Sequence, residues 1–364
     1  MVGHSDKINY VTFLDRQSDQ YALTASADGT IKIWDLRPLE KQSINIREAN
    51  AIRKLKINPK DSLLYVGFMF TSLNTPRGYL STTCQDIENF NCRDSVKQRI
   101  GRGETLGNIT SFDFAKDSLI MLGGYWNQLI ASNKKYPKSF RLPNIYNIHD
   151  IRIKSDTLLA VASGNGLSYF SNFLKHPKRK RDLFLKDAIK TSFNSVDIHP
   201  TKNWILGAAD DGNVYLWDTE KNTKDTLVGH LDKVMDATFS ASGRFIVSGS
   251  WDNKAIIWEW KDGQYQSKGD SIRAHTNDIV DVEFFKDEMI LTASSDNTVQ
   301  LLKWNEEEQN FVRIPSLIRH DTKITAATFS LDGNYIFSGD IKGNVKKWAI
   351  KEFKQDLEAR IHGL

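Results

Sequence analysis

Three histidines recur in this sequence at a constant interval. His230, His275 and His320 are each separated by 45 residues. Self-similarity at a fixed period of about 20–50 residues is typical of chains built from one repeated supersecondary unit, because each unit buries its apolar face only by stacking on the next. The length of 364 residues would suit two or three ordinary domains, but a closed array of repeats uses that length as one.

The unit itself is clearest between Val228 and Trp260. It contains a Gly-His pair, three short segments in which apolar and polar residues alternate, turns rich in Gly, Asn and Asp, and a Trp near its end. Alternation with a period of two predicts half-buried β-strands, and these turn residues predict tight connections between them. The sequence therefore predicts an all-β protein made of small antiparallel sheets.

The first unit repeats the same pattern. Gly3-His4 opens it, and Trp34-Asp35 closes its third predicted strand. These two pairs resemble the beginning and end of a WD40 repeat, so the chain is similar to the WD40 family of β-propellers. The resemblance implies a ring of four-stranded blades, strongly supported in the first unit and after residue 189, and weakly in between.

The spacing of two tryptophans gives the number of units. Trp34 and Trp217 lie 183 residues apart, which is about four periods. Three units with a degenerate pattern must therefore lie between them. We therefore predict one domain, residues 1–364, with eight blades; seven blades is the alternative. The predicted blades are residues 3–47, 48–103, 104–145, 146–188, 189–228, 229–273, 274–318 and 319–364.

Closure of the ring requires a separate expectation. In many members of this family an N-terminal strand completes the last blade, but only Met1 and Val2 precede Gly3. We expect the segment Leu357–Gly363 to supply that outer strand, with the ring closing through side-to-side contacts between blades. The alternative is that the chain is a fragment of a longer protein.

The resemblance also implies a structural hydrogen-bonded set in each blade: the loop His, a Ser or Thr of the second strand, the turn Asp and the Trp of the third strand. Leu302 replaces the Trp in blade 7, Lys342 stands at the Asp position in blade 8, and Gly207 replaces the hydroxyl residue in blade 5. Blades 2 to 4 lack the set. Recurrence at a fixed period argues against a hydrolase triad, since catalysis needs one site. The complete sets are His4, Thr24, Asp28 and Trp34, and His230, Ser248, Asp252 and Trp258.

Aromatic residues in the turns mark a candidate partner-binding face. Trp251 immediately precedes the turn Asp252. Exposed aromatic rings bury a large area at a small entropic cost, which suits a protein-binding surface. The alternative is that these rings pack between blades. The candidate residues are Trp251, Tyr125, Trp126, Phe68 and Phe70.

Positive charge is concentrated in the part of the chain where the repeat pattern is degenerate. Residues 93–190 hold 18 Lys and Arg against 8 Asp and Glu, whereas the whole chain has a net charge of only +4. Such a patch suits a nucleic-acid backbone, an acidic protein or a phosphorylated ligand; a nuclear localisation signal and a solvated loop are alternatives. The candidate patch is Lys134, Lys135, Lys138, Lys178, Arg179, Lys180, Arg181, Arg99 and Arg102.

Other function classes find little support in the sequence. Cys84 and Cys92 are too few for a disulfide framework or a metal motif, which favours a reducing cytoplasmic setting. No apolar run approaches the roughly 20 residues that span a bilayer. No nucleophile motif and no clustered carboxylates stand out, so neither a catalytic residue nor a metal or other cofactor is predicted. We expect a non-enzymatic scaffold or sensor propeller, alone or as the C-terminal sensing part of a larger protein, that binds a protein or peptide and no membrane; a nucleic-acid or phosphorylated-ligand binder using blades 2–4 is the alternative.

Overall fold

The regular structure of this chain is entirely β in the part that can be described. The computed structural model describes residues 4–13, 21–28, 30–35, 43–47, 51–57, 64–69, 79–82, 96–99, 109–115, 119–124, 129–132, 145, 147–154, 158–171, 183–184, 191–268, 275–330, 333–342 and 344–350. Within these residues the strands form eight separate sheets, and each strand pairs antiparallel with the next one along the chain. This meander agrees with the all-β prediction.

The first four sheets lie between residues 8 and 184, and all but the third have four described strands. Their strands are β1 (Ile8–Phe13), β2 (Tyr21–Ser26), β3 (Thr30–Asp35) and β4 (Ser43–Arg47) in sheet 1; β5 (Ala51–Ile57), β6 (Leu64–Met69), β7 (Tyr79–Thr82) and β8 (Val96–Arg99) in sheet 2; β9 (Ile109–Ala115), β10 (Leu119–Gly124) and β11 (Leu129–Ser132) in sheet 3; and β12 (Ile148–Lys154), β13 (Leu158–Ser163), β14 (Gly166–Ser171) and β15 (Leu183–Phe184) in sheet 4.

The last four sheets follow from residue 193, and sheet 8 has three described strands. Their strands are β16 (Phe193–Ile198), β17 (Trp204–Ala209), β18 (Asn213–Asp218) and β19 (Thr223–Val228) in sheet 5; β20 (Val234–Phe239), β21 (Phe245–Ser250), β22 (Ala255–Lys261) and β23 (Gln264–Ser267) in sheet 6; β24 (Ile279–Phe285), β25 (Met289–Ser294), β26 (Thr298–Asn305) and β27 (Asn310–Arg319) in sheet 7; and β28 (Ile324–Phe329), β29 (Tyr335–Asp340) and β30 (Val345–Ala349) in sheet 8.

The second strand of each well-described sheet is buried on both faces. Every residue of β13, β21 and β25 is buried, whereas the outer strand β19 is largely exposed. The sequences of these second strands are short apolar runs with small residues at their ends, as expected for strands that pack between two neighbouring sheets. The apolar core therefore lies between the sheets, because each sheet covers the face of the next.

The ring of sheets closes on itself. Each sheet packs against the following one, and sheet 8 packs against sheet 1. Ile8 of β1 shares an apolar cluster with Ala326 and Phe337 of sheet 8, and the hydroxyl of Thr325 donates to the carbonyl of Ile8. This is the side-to-side contact that the sequence predicts. The predicted outer strand at residues 357–363 lies outside the described residues.

The inner strands are also linked to one another, through side chains. A carboxylate on one inner strand accepts a backbone amide of the inner strand in the following sheet: Asp113 Oδ2 accepts from Ile153 over 2.9 Å, and Asp197 Oδ2 accepts from Phe239 over 2.9 Å. An innermost strand has a partner strand on one side only, so its other edge presents amides that need acceptors. These side chains supply those acceptors around the described part of the ring.

Substitution of one glycine tests the closure of the ring. A Cβ at Gly339 would overlap the side chain of Ile8, so we expect Gly339→Ala to lower the free energy of unfolding by about 1–3 kcal/mol. Gly249→Ala is the matched variant, since its Cβ would lie 2.6 Å from Ile279 at the junction of sheets 6 and 7. Urea denaturation should give similar losses for both. A neutral Gly339→Ala beside a destabilising Gly249→Ala would contradict the closed ring.

Candidate functional site

A chain of hydrogen bonds crosses sheet 6 from its third strand to the loop before its first. The indole Nε1 of Trp258 donates to Ser248 Oγ over 3.1 Å, and this Oγ lies 2.9 Å from His230 Nε2. His230 Nδ1 lies 3.0 Å from Asp252 Oδ2, which also accepts the backbone amide of Leu231. The structure thus brings together the four residues predicted for this blade, and they tie the loop, two strands and the turn to one another.

The hydroxyl of Ser248 lies at the middle of this chain. Its Oγ accepts the indole proton of Trp258, and it lies within hydrogen-bonding distance of His230 Nε2 and of the carbonyl of Ile256. Burial alone would raise the pKa of Asp252, but hydrogen bonds from His230 and from the backbone outweigh burial and lower that pKa. Each polar group of this chain therefore has a hydrogen-bond partner.

Sheet 1 holds the same arrangement as far as it is described. His4 Nε2 lies 2.8 Å from Thr24 Oγ1, and His4 Nδ1 lies 3.3 Å from Asp28 Oδ1. Burial lowers the pKa of His4 to about 4, against the opposing charge of Asp28, so the ring is neutral at physiological pH. The side chain of Trp34 lies outside the described residues.

Sheet 7 keeps the set without its tryptophan. His275 Nδ1 lies 2.9 Å from Asp296 Oδ2, and His275 Nε2 lies 2.8 Å from Thr292 Oγ1. Leu302 occupies the position of the indole and is buried. The histidine link is therefore independent of the tryptophan, which adds a further donor where it is present.

Sheet 8 departs from the sequence prediction at the acidic position. Lys342 aligns with the turn Asp of the other blades, but His320 Nδ1 lies 3.1 Å from Asp340 Oδ2, two residues earlier. Asp340 is the last residue of β29, where sheet 6 has Ser250, and its Oδ1 accepts the amides of Lys342 and Asn344 over 2.9 Å each. The expectation that this blade lacks its acid was wrong, because a carboxylate two residues earlier, at the end of β29, reaches the same imidazole.

Sheet 5 replaces the histidine link with a tyrosine. A Cβ at Gly207 would meet the ring of Phe193 at 2.7 Å, so Phe193 fills the space that a hydroxyl residue would need. Tyr215 donates to Asp211 Oδ2 over 2.8 Å, and burial, with Asp211 beside it, raises the pKa of Tyr215 to about 12. The buried indole N–H of Trp217 has no acceptor, which is the direct consequence of Gly207.

The histidine sets superficially resemble hydrolytic machinery. Ser248 lies within hydrogen-bonding distance of an imidazole that faces a carboxylate, but the serine is fully buried and its oxygen already accepts the indole of Trp258. A nucleophile must be reachable by its substrate. The same geometry in sheets 1, 7 and 8 supports a structural role.

Trp251 lies on the turn between β21 and β22 and is exposed. It keeps 39% of its surface accessible to solvent, while its backbone amide donates to the carbonyl of Lys233 over 3.0 Å. The ammonium of Lys233 lies 5.2 Å from the centre of the indole and 2.9 Å from Asp210 Oδ2. The indole of Trp251 therefore presents an outward-facing aromatic surface on a turn that is held at both ends.

Most other predicted site residues have side chains outside the described part of the structure. Phe68 and Arg99 belong to β6 and β8, but their side chains are not described. The remaining aromatic and basic candidates lie outside the described residues: Phe70, Tyr125, Trp126, Arg102, Lys134, Lys135, Lys138, Lys178, Arg179, Lys180 and Arg181.

Two groups of residues were not anticipated from the sequence. Leu231 and Ile341 are exposed apolar side chains, at 83% and 43%, and Ile341 follows Asp340 in the turn that corresponds to that of Trp251. The second group is the carboxylates of the inner strands, which the sequence scatters at intervals of about 40 residues. An alignment of the inner strands across the repeats would have revealed them, because an acidic residue recurs at the same alternating position.

Comparison with known families agrees with this geometry. The model of the WD domain, G-beta repeat, matches residues 1–35, 186–218, 221–259, 267–302 and 311–349, which together make up half of the chain. This chain belongs to the WD40 repeat family. The matched segments contain the histidine sets of sheets 1, 6, 7 and 8, and the predicted resemblance is confirmed. WD40 propellers are generally non-catalytic.

Similar curated proteins are longer than this chain. The chain is 24% identical over 155 residues to Autophagy-related protein 16 of Arabidopsis thaliana, covering 42% of the chain and 29% of that protein. It is 36% identical over 69 residues to Ribosome assembly protein 4 of Saccharomyces cerevisiae, covering 18% of the chain and 13% of that protein. The chain thus spans less than a third of the length of these relatives.

Two solved structures share the fold. The computationally designed Ika8 protein superposes with a TM-score of 0.71 at 18% identity, covering 95% of this chain and 97% of that one. The WD40 β-propeller domain of Doa1 superposes with a TM-score of 0.58 at 15% identity, covering 95% and 93%. The predicted β-propeller fold is confirmed. No helix in the described part of the chain is long and apolar enough to cross a bilayer.

The substituted acid of sheet 8 gives a testable prediction. Removing the carboxylate of Asp340 leaves a buried imidazole without its acceptor, so Asp340→Ala should lower the free energy of unfolding by about 1–3 kcal/mol. Lys342→Ala is the matched control, because Lys342 is exposed and should change stability by less than about 0.5 kcal/mol. Chemical denaturation of both variants measures the difference. Equal effects would refute the assignment of Asp340 to the histidine link.

Proposed function

We propose that this chain is a non-enzymatic interaction propeller in which each of the eight sheets is one blade. The ring presents the turns between second and third strands to a protein or peptide partner. Trp251 is the observation that carries this proposal, since it is a large aromatic side chain exposed on a rigid turn. Membership of the WD40 family supports the general role of an interaction scaffold, although fold alone does not define a function.

The rigidity of the turn favours binding through Trp251. The preceding residue, Ser250, donates through its hydroxyl to the carbonyl of Asp232 over 2.9 Å, and the following residue, Asp252, is held by His230. A side chain on a fixed backbone loses little freedom when a partner covers it, so most of the buried apolar area contributes to affinity. Lys233 lies over the indole and is paired with Asp210, so one side of the indole has a polar border.

Removal of this ring tests the proposal. Trp251→Ala should reduce capture of protein partners by at least tenfold, because an aromatic hot spot contributes roughly 2 kcal/mol or more. Its Tm should change by about 1 °C at most, since the ring is not part of the core. Quantitative pull-down with the intact chain, alongside thermal denaturation, measures both.

Trp258→Ala is the control for the same experiment. This indole is buried and donates to Ser248, so its loss should lower the Tm by several degrees. A large fall in Tm for Trp251→Ala would show that its ring is structural. Unchanged capture at an unchanged Tm would place the partner surface elsewhere.

The positive charge of residues 93–190 supports a second candidate function. This segment carries 18 Lys and Arg against 8 Asp and Glu, and one relative is named for ribosome assembly. We infer that a nucleic acid or phosphorylated ligand is the alternative partner, bound mainly through its phosphates.

A salt series tests that alternative. Binding to a generic single-stranded RNA, followed by fluorescence anisotropy, should weaken steeply with salt if several phosphates are contacted. Replacing residues 178–181 with Ser should reduce the salt dependence and the affinity together. Absence of binding at low salt would exclude this candidate, and an unchanged response of the variant would exclude this segment as the contact.

The cellular context follows from neither candidate alone. We propose a cytoplasmic interaction module, and a role as the sensing part of a larger protein, because the relatives are several times longer than the part they share with this chain. Exposed turns on a rigid ring suit either arrangement.

A further inference from the structure

Six carboxylates converge on the centre of the ring. They occupy alternate positions of the inner strands of sheets 3 to 7. Tyr10 of β1 and Arg152 of β12 are three sheets apart, and yet each affects the pKa of the other, which places both at the centre. The side chain of Arg152 keeps 40% of its surface exposed, and Asp236, Asp281 and Glu283 are half-buried, so the centre is a channel that is only partly closed to solvent. The carboxylates are Asp113, Asp150, Asp197, Asp236, Asp281 and Glu283.

The acids of sheets 6 and 7 are fixed in position by the following inner strand. Asp236 Oδ2 accepts the amide of Val282 over 3.2 Å. Asp281 Oδ2 accepts the amide of Ala327 over 3.0 Å, and Glu283 Oε2 accepts that of Phe329 over 3.2 Å. These acids cannot turn away from one another without giving up the links between sheets 6, 7 and 8.

The charges that face these acids are unevenly placed. Arg152 lies 3.8 Å from Asp150, and Asp197 and Asp113 also act on it. Its charge lowers the pKa of Asp236 and of Glu283 as well, but in both cases burial outweighs it. Tyr10 faces Glu283 from sheet 1, and Thr328 of sheet 8 hydrogen-bonds to Glu283. In sheet 2, Lys54 and Lys56 of β5 occupy the register positions that Asp281 and Glu283 occupy in β24. The inner strands of sheets 6 and 7, β20 and β24, carry these acids and no Lys or Arg of their own.

The environment of these acids favours their protonated forms. Asp236 accepts the amide of Val282, the residue that follows Asp281, so the carboxyl groups of Asp236 and Asp281 lie close together. Burial, with Asp236 beside it, raises the pKa of Asp281 well above its ordinary value, because two neighbouring carboxylates disfavour their joint ionisation. Burial raises the pKa of Glu283 to about 7, against the hydrogen bonds of Thr328 and Phe329. Burial also raises the pKa of Asp236.

We propose that this side of the channel is a proton-dependent latch: Asp236 and Asp281 share one proton, Glu283 carries another, and the junctions of sheets 6, 7 and 8 loosen as these protons are lost above neutral pH. Loss of these two protons raises the negative charge on two neighbouring strands from one to three. Their repulsion acts on the groups that anchor the amides of Val282, Ala327 and Phe329. The ring is therefore tighter at mildly acidic pH than at alkaline pH.

The direction of the pH effect follows from linkage. An acid with a pKa higher in the folded than in the unfolded chain binds more protons when folded, so its stabilisation is complete at low pH and is lost as the pH rises through the folded value. For Glu283 this stabilisation is lost between about pH 4.5 and somewhat above pH 7. Burial lowers the pKa of His4 and His199 to about 4 and also lowers that of His320. These histidines act in the opposite direction, but only below about pH 6.5.

Thermal denaturation between pH 6.5 and 8.5 therefore isolates the acids. The Tm of the intact wild-type chain should fall by several degrees over this range. Glu283→Gln keeps an oxygen to accept the amide of Phe329 but has no proton to lose, so it should abolish at least half of that fall. Asp197→Asn is the matched control, since Asp197 makes the same link to Phe239 but lies near Arg152; its Tm should fall as much as that of the wild type.

Two results would overturn the latch. One is a wild-type Tm that does not fall between pH 6.5 and 8.5, and the other is a Glu283→Gln variant with the full wild-type fall. Asp281→Asn provides a second variant with the same expected flattening if Glu283→Gln does not fold.

A spectroscopic measurement needs no variant. Infrared difference spectra of the wild-type protein between pH 6.5 and 8.5 should show a protonated-carboxyl C=O band at pH 6.5 that disappears at pH 8.5. A spectrum without this band at pH 6.5 would show directly that Asp236, Asp281 and Glu283 hold no protons there, and would refute the latch.

Discussion

The structure depends on how the free edge of each inner strand is satisfied. An inner strand pairs with a second strand on one side, and the centre of the ring leaves no room for another strand on the other. Leaving the backbone amides at that edge without acceptors would destabilise the folded chain. Asp113, Asp197 and Asp281 each provide an acceptor to the strand of the following sheet. The polar residues of the inner strands thus bind the sheets to one another while apolar side chains fill the space between them.

This arrangement separates the residues that build the ring from those that are free to bind. His230 and Asp252 fix a turn to the strand beneath it, and that turn carries Trp251 outward. Sheet 8 shows that the physical requirement is a carboxylate near Nδ1 of the histidine, since Asp340 meets it from a different sequence position. Variation at the exposed turn position costs the ring little, so one blade presents Trp251 and another Ile341.

The sequence predicts the repeat, the strands and the sets of sheets 1, 6 and 7, because each depends on local alternation and on spacing within one unit. It fails where a contact depends on geometry between strands. Lys342 at the expected acid position hides the role of Asp340, which only the register of β29 reveals. The replacement of a histidine link by Tyr215 and Asp211 follows from the ring of Phe193 beside Gly207. The channel acids escape a search for clustered carboxylates because those of different sheets lie about 40 residues apart and meet only when the ring closes.

Amide hydrogen exchange at single-residue resolution tests the central claim most directly. The amides of Ile153, Phe239 and Ala327 point away from their own sheets and are held only by side chains of the preceding sheet. The account predicts that they exchange as slowly as the amides inside the β-ladders, because opening them requires two sheets to separate. Exchange as fast as that of exposed loop amides would contradict a ring held together by its inner strands.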